Sequence, residues 1–180
     1  MTKKHTPPIH QISLRVAKLP ELFNSMDPTP FRNRDLDPQA HEYIESWAVA
    51  HPANSHFRIH VHMVEMPADN PAPMLTEAIH NHFTYRADLV RRQLALLLRE
   101  ARASLLIGLG FLAACLLLAD LVPGDTTQPL LRVLREGLMI VGWVAMWRPL
   151  QMCLYDWWPL ARRIRILKSL SQASVQVVKA

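Results

Sequence analysis

Two groups of residues in this chain have the types and spacing to do chemistry. His60 and His62 stand two apart in "HFRIHVHM", and on a strand such a pair projects from one face, as His-x-His metal ligands do. A third ligand is needed, and His41 or Glu45 in "HEYIE" are the candidates. If their helix covers the other face of the strand, they point away. His80 and His82 are two apart in a helical stretch, on opposite sides, and cannot chelate one ion together.

The second group lies in "GLMIVGWVAMWRPLQMCLYDWWPLARRIR", where Arg148, Pro149 and Asp156 interrupt an apolar run. An ionised side chain at mid-bilayer costs about 2.5–3.5 kcal/mol on insertion scales and must face protein or water. Pro149 removes a backbone bond and kinks a helix. On an unbroken α-helix Asp156 stands about 80° round from Arg148, a loose partner, so a neighbouring helix is expected to neutralise the arginine better. The readings are an ion or proton path, and a structural pair between helices or an arginine reaching the inner surface.

Other chemistry lacks its residues. The five glycines all lie at or within the apolar segments, so there is no glycine-rich phosphate loop, and no G-x-S-x-G, H-E-x-x-H or C-x-x-C occurs. No catalytic residue and no cofactor is assigned. Cys115 and Cys153, the two cysteines, fall in different apolar runs and are expected to pack unbridged.

The first 80 residues carry a net charge of −2 and the remaining hundred +7, so the overall +5 belongs to the second part. A nucleic-acid binder needs its basic patch on a folded domain, and here the candidate domain is slightly acidic. The cations sit instead as Arg86, Arg91, Arg92, Arg99 and Arg102 before one apolar run, and as Arg162, Arg163, Arg165 and Lys168 after the other. That placement follows the positive-inside rule. "MTKKHTPPIHQ" has no apolar segment behind its charges, so it is not a signal peptide. A bilayer is the expected partner, with both termini in the cytoplasm.

The apolar runs predict a transmembrane hairpin over residues 99–160. Ala103 to Val122 is long enough to cross about 30 Å of hydrocarbon at about 1.5 Å per residue. "PGDTTQP" turns the chain. Leu130 to Gly137 suits a short amphipathic turn at the outer interface, and the second span follows from Gly137 to about residue 156. A rival register spans 128–147. Trp143 and Trp147, or Trp157 and Trp158, are the interfacial anchors. Ser104 with Gly108, and Gly110 with Ala114, form two small-residue faces on the first span, which suits a hairpin that also meets other copies of itself.

Residues 1–98 read as an α/β domain ending in a long helix. "QISLRVAKL" and "HFRIHVHM" alternate as strands, with Phe57, Ile59, Val61 and Met63 on one face of the second. Asp37 followed by Pro38 caps a helix to about Ala50. From Thr76 the stripe Ile79, Phe83, Ala87, Val90, Leu94, Leu97 and Ala101 continues into the first span, predicting one rod. "SVQVVKA" in the tail, residues 161–180, offers a last strand. The expected fold is therefore an α+β membrane protein: a two-helix hairpin plus a small cytoplasmic α/β domain, of ferredoxin-like arrangement, completed by the C-terminal strand.

"DPTPFRNRDLDPQAHEYIESWA", "FTYRADLVRRQL" and "GWVAMWRPLQMCLYDWWPL" resemble a family of small bacterial two-span inner-membrane proteins of no known activity. The resemblance runs from about residue 20 to 178. It implies the bacterial inner membrane and no ligand or catalytic residue. The function expected is a non-catalytic scaffold, regulator or accessory subunit, acting as a homo-oligomer or with another membrane protein. The alternatives are a pore using Arg148 and Asp156, and a metal enzyme or sensor using His60 and His62.

Overall fold

A computed structural model describes residues 9–24, 35–53, 55–67, 70–122 and 128–179. The chain forms two compact units, one of Met1–Arg91 with Ala161–Ala180 and the other of Arg92–Leu160.

The first unit is built on β1 (Ile9–Val16), α1 (Pro38–Val49), β2 (His56–Met63), the first part of α2 (Ala72–Leu121), the second part of α5 (Trp157–Leu170) and β3 (Ser174–Lys179). The strands form one sheet in the order β1-β2-β3, and both pairings are parallel. The C-terminal strand does complete the sheet. The ferredoxin-like expectation fails, because that arrangement needs β-α-β-β-α-β order, whereas every strand here returns by a crossover through helix.

Period-two alternation gives each strand an apolar and a polar side. Ile12, Leu14, Phe57, Ile59, Val61 and Met63 are buried on one face, in register as Ile12 beside Ile59 and Leu14 beside Val61. Two right-handed crossovers stepping the same way across a sheet put their helices on one side. The buried residues agree: Ile44 and Ala48 of α1, Leu75, Ile79 and Phe83 of α2, and Ile166, Leu167 and Leu170 of α5 cover the apolar face. Asp37 caps α1 as expected, its carboxylate accepting from the Gln39 and Ala40 amides, with Pro38 in the first turn.

The second unit holds the rest of α2, α3 (Pro129–Ala145), α4 (Trp147–Gln151), a π turn (Met152–Asp156) and the start of α5. Among the described residues, α2 is the one helix long and apolar enough to cross a membrane, and only 17% of its most apolar 18-residue stretch is buried. The expected second span is not a single helix. α3 runs through Gly137 without a break, matching the rival register more closely, and the chain then turns at Met146 before α4. Pro149 accounts for the break, since it cannot donate to the Ala145 carbonyl one turn back.

Packing of α3 and α4 on α2 rests on glycines. A Cβ on Gly142 would stand 2.9 Å from Leu112 Cδ1 and 3.2 Å from Cys115 Cβ, and one on Gly108 3.1 Å from Met146 Sδ and from Pro149 Cγ. The two helices approach at these hydrogens. A Cβ on Gly110 would meet no heavy atom within 4 Å, so the second small-residue face stays open.

Candidate functional site

Four segments of the first unit converge on a chain of ionisable groups. His41 and Glu45 lie one turn apart on α1, so they share a face, and Glu45 Oε2 is 3.0 Å from His41 Nε2. His82 comes from the buried stripe of α2. Asp35 and Leu36 come from the segment before α1, held by hydrogen bonds from the Asn24 amide to the Asp35 carbonyl and from the Asp37 amide to the Leu22 carbonyl, each 2.9 Å. Arg163 of α5 grips Glu45 with two nitrogens, Nη2 lying 3.0 Å from Oε2.

The order is Asp35, His82, His41, Glu45, Arg163. Asp35 Oδ1 is 2.9 Å from His82 Nδ1, and His82 Nε2 is 3.0 Å from His41 Nδ1. The Leu36 amide donates to the same His82 Nδ1 at 3.3 Å.

Counting protons constrains the chain. Three links join the two carboxylates through the two rings, and each needs one N–H, but two neutral imidazoles carry only two. In the neutral state His41 Nε2–H donates to Glu45, His82 Nε2–H donates to His41, and the His82 Nδ1 lone pair accepts from Leu36. The Asp35 link then has no proton. One added proton closes it.

Electrostatics favour a neutral His82. Burial pushes the His82 imidazole down to about 4 from 6.5, against the pull of Asp35. The hydrogen bond from His41, aided by Arg163, outweighs burial and holds the Glu45 carboxyl down at about 2. Glu45 also holds Arg163 more firmly protonated. Beside the chain is a groove of about 460 Å³ lined by Pro38, His41, Glu42, Glu45, Arg86 and Arg163, among others. Ser46, the hydroxyl on its wall, donates to the Tyr43 carbonyl at 3.0 Å and not to an imidazole. The arrangement can hold and relay a proton, and it lacks the activated nucleophile of a hydrolytic triad.

Of the residues weighed as ligands in the sequence, His41, Glu45 and His82 join it. His60 and His62 project from the sheet face opposite the helices, so His41 and Glu45 cannot complete their ligand set, and no group of three His, Cys, Asp or Glu among the described residues is placed to hold a metal ion. His80 instead bonds the Ala173 carbonyl at 2.7 Å, tying α2 to the approach to β3. Trp143, Trp147, Trp157 and Trp158 are all exposed. Ser104 is half-buried and Ala114 exposed.

Arg148 does find its partner inside the chain: Nη1 lies 3.6 Å from Asp156 Oδ2. The loose pairing expected of an α-helix is corrected by the π turn. An i→i+5 turn advances only about 80° per residue in place of about 100°, which carries Asp156 back toward the face of Arg148.

No protein-family model, curated protein or solved structure matches this chain.

Proposed function

We propose that the chain is a multi-pass protein of the bacterial inner membrane, with both termini cytoplasmic, in which α2 and the α3–α4 segment form a hairpin that anchors the α/β unit. Its role is non-catalytic, as a scaffold, regulator or accessory subunit. The observation that carries this reading is the exposed apolar surface of the hairpin: Leu106, Ile107, Leu117 and Leu121 on α2, and Leu130, Val133, Val144 and Trp147 opposite, are each about two-thirds exposed or more. A surface of that extent belongs in lipid or against protein. Membership of the two-span family that the sequence resembles forms part of the same proposal.

The open face at Gly110 and Ala114 supports self-association, since the hairpin's own contacts use Gly108 and Gly142 and leave those two free for a second copy. Arg148 is matched by Asp156 of its own chain. It therefore needs no ring of copies to neutralise it, which favours an anchor over a pore.

Alkaline carbonate washing of membranes tests the first point, and the protein is expected to stay in the pellet. Release to the supernatant overturns it. Reporter fusions at the two termini should both score cytoplasmic; opposite scores would leave a single span. Native mass in a nanodisc is expected to exceed that of one chain.

A further inference from the structure

All-parallel sheets are normally covered on both faces, yet the three helices of this unit share one side, and among the described residues no helix covers the other face of the sheet. That face is a lattice of hydrogen-bond donors. Arg58 stands beside Gln11, His60 lies between Ser13 and Gln176, and His62 beside Arg15. No Asp or Glu occurs at any position of this face on the three strands.

Two nitrogens there, Arg58 Nε and His60 Nε2, are buried without a hydrogen-bond partner among the described residues. Buried polar groups in this state call for an acceptor that the described residues do not supply, such as an ion. On the same face Ser13, Arg15 and His62, with Leu14, line a hollow of about 330 Å³. The same arrangement argues against the His-x-His pair as a metal site, because Arg58 and Arg15 on the same face repel a cation.

We propose that this open sheet face binds a phosphate-class oxyanion, seated over His60, with Arg58 two residues before it on β2 and Arg15 beside His62 on β1. The Ser13 hydroxyl and Gln176 amide complete its donors. The anion is either free phosphate or the phosphomonoester of a lipid headgroup, and the chemistry of recognition is the same. The proposal does not depend on the membrane reading.

The test uses the full chain in non-ionic detergent, followed through its histidine ring resonances at constant ionic strength. Inorganic phosphate is one probe, dihexanoyl phosphatidic acid the other, with Zn²⁺ as the contrasting ion. Saturable shifts at His60 and His62, with His51 and His80 still, are expected from at least one anion. Saturation by phosphate itself assigns a free anion; saturation by the lipid alone assigns a headgroup.

Arg15→Gln with Arg58→Gln should weaken the affinity at least tenfold while Arg99→Gln leaves it intact. If the double variant does not fold, displacement of phosphate by sulfate at His60 in the natural chain replaces it. No shift with either anion, shifts confined to other histidines, undiminished affinity in the folded double variant, or saturation by Zn²⁺ alone would overturn the proposal.

Discussion

His82 and His41 face each other ring nitrogen to ring nitrogen, 3.0 Å apart, with a carboxylate beyond each ring. His82 is 3% exposed, so any proton it takes up must be held by its neighbours and not by water.

Stability should fall in acid in two stages. The His82 ring has a folded pKa near 4, below its ordinary 6.5, so unfolded chains bind more protons in that interval. Its contribution is present above about pH 6.5 and lost as pH falls through 4, amounting to about 3 kcal/mol at most. Glu45, held near 2 against an ordinary 4.5, adds a second loss as pH falls from 4.5 through 2. Denaturant midpoints measured from pH 8 to 3 check this, and His82→Gln should flatten the upper stage alone.

His82→Ala removes the acceptor of the Leu36 amide. Leaving that buried donor unmet costs about 1–3 kcal/mol. Hydrogen exchange at Leu36 should accelerate at least tenfold, while exchange in β2 changes less.

Arg163→Ala takes away the paired contact that joins α5 to Glu45 of α1. Because the arginine is about half exposed, the loss should be near 1 kcal/mol. A double-mutant cycle with Glu45→Gln measures it, and a coupling energy of zero would mean the contact is idle.

The π turn makes the fates of Arg148 and Asp156 linked. On the proposed membrane reading, Asp156→Asn leaves a cation without its 3.6 Å partner and should reduce membrane insertion in a translocon assay by about 1–3 kcal/mol of apparent free energy. Adding Arg148→Leu should restore it. Additive losses would show that the two do not act together.

Glycines separate the two packing faces. Gly142→Leu drives a side chain into Leu112 and Cys115 and should cost about 1–3 kcal/mol in thermal stability. Gly110→Leu meets nothing within its own chain and should leave the melt unchanged while lowering the native mass.

Much of this was legible in the sequence, for stated reasons. Alternation in "QISLRV" and "HFRIHVHM" marked β1 and β2, and Asp37 with Pro38 marked α1. Strand direction was not in the alternation, yet a helix between each successive pair of strands already implied parallel crossovers. His82 was weighed only as a ligand beside His80, although its position carried the signal of burial: it falls three residues after Ile79 and one before Phe83, within the buried stripe of α2. Its partners lie more than forty residues away, and no local pattern brings Asp35, His41 and His82 together. Pro149 gave warning of the helix break. The π turn after it depends on packing that no periodicity reveals.

β2 is the central strand, and its two neighbours reach it at very different times. β1 precedes it, but β3 begins more than a hundred residues later, after the hairpin. At about 5–20 residues per second of synthesis, one edge of β2 waits roughly ten seconds for its neighbour. During that interval the nascent chain carries an unpaired apolar strand edge, a template for wrong pairing, so the yield of correctly folded protein depends on how quickly the helices from α2 to α5 clear the ribosome.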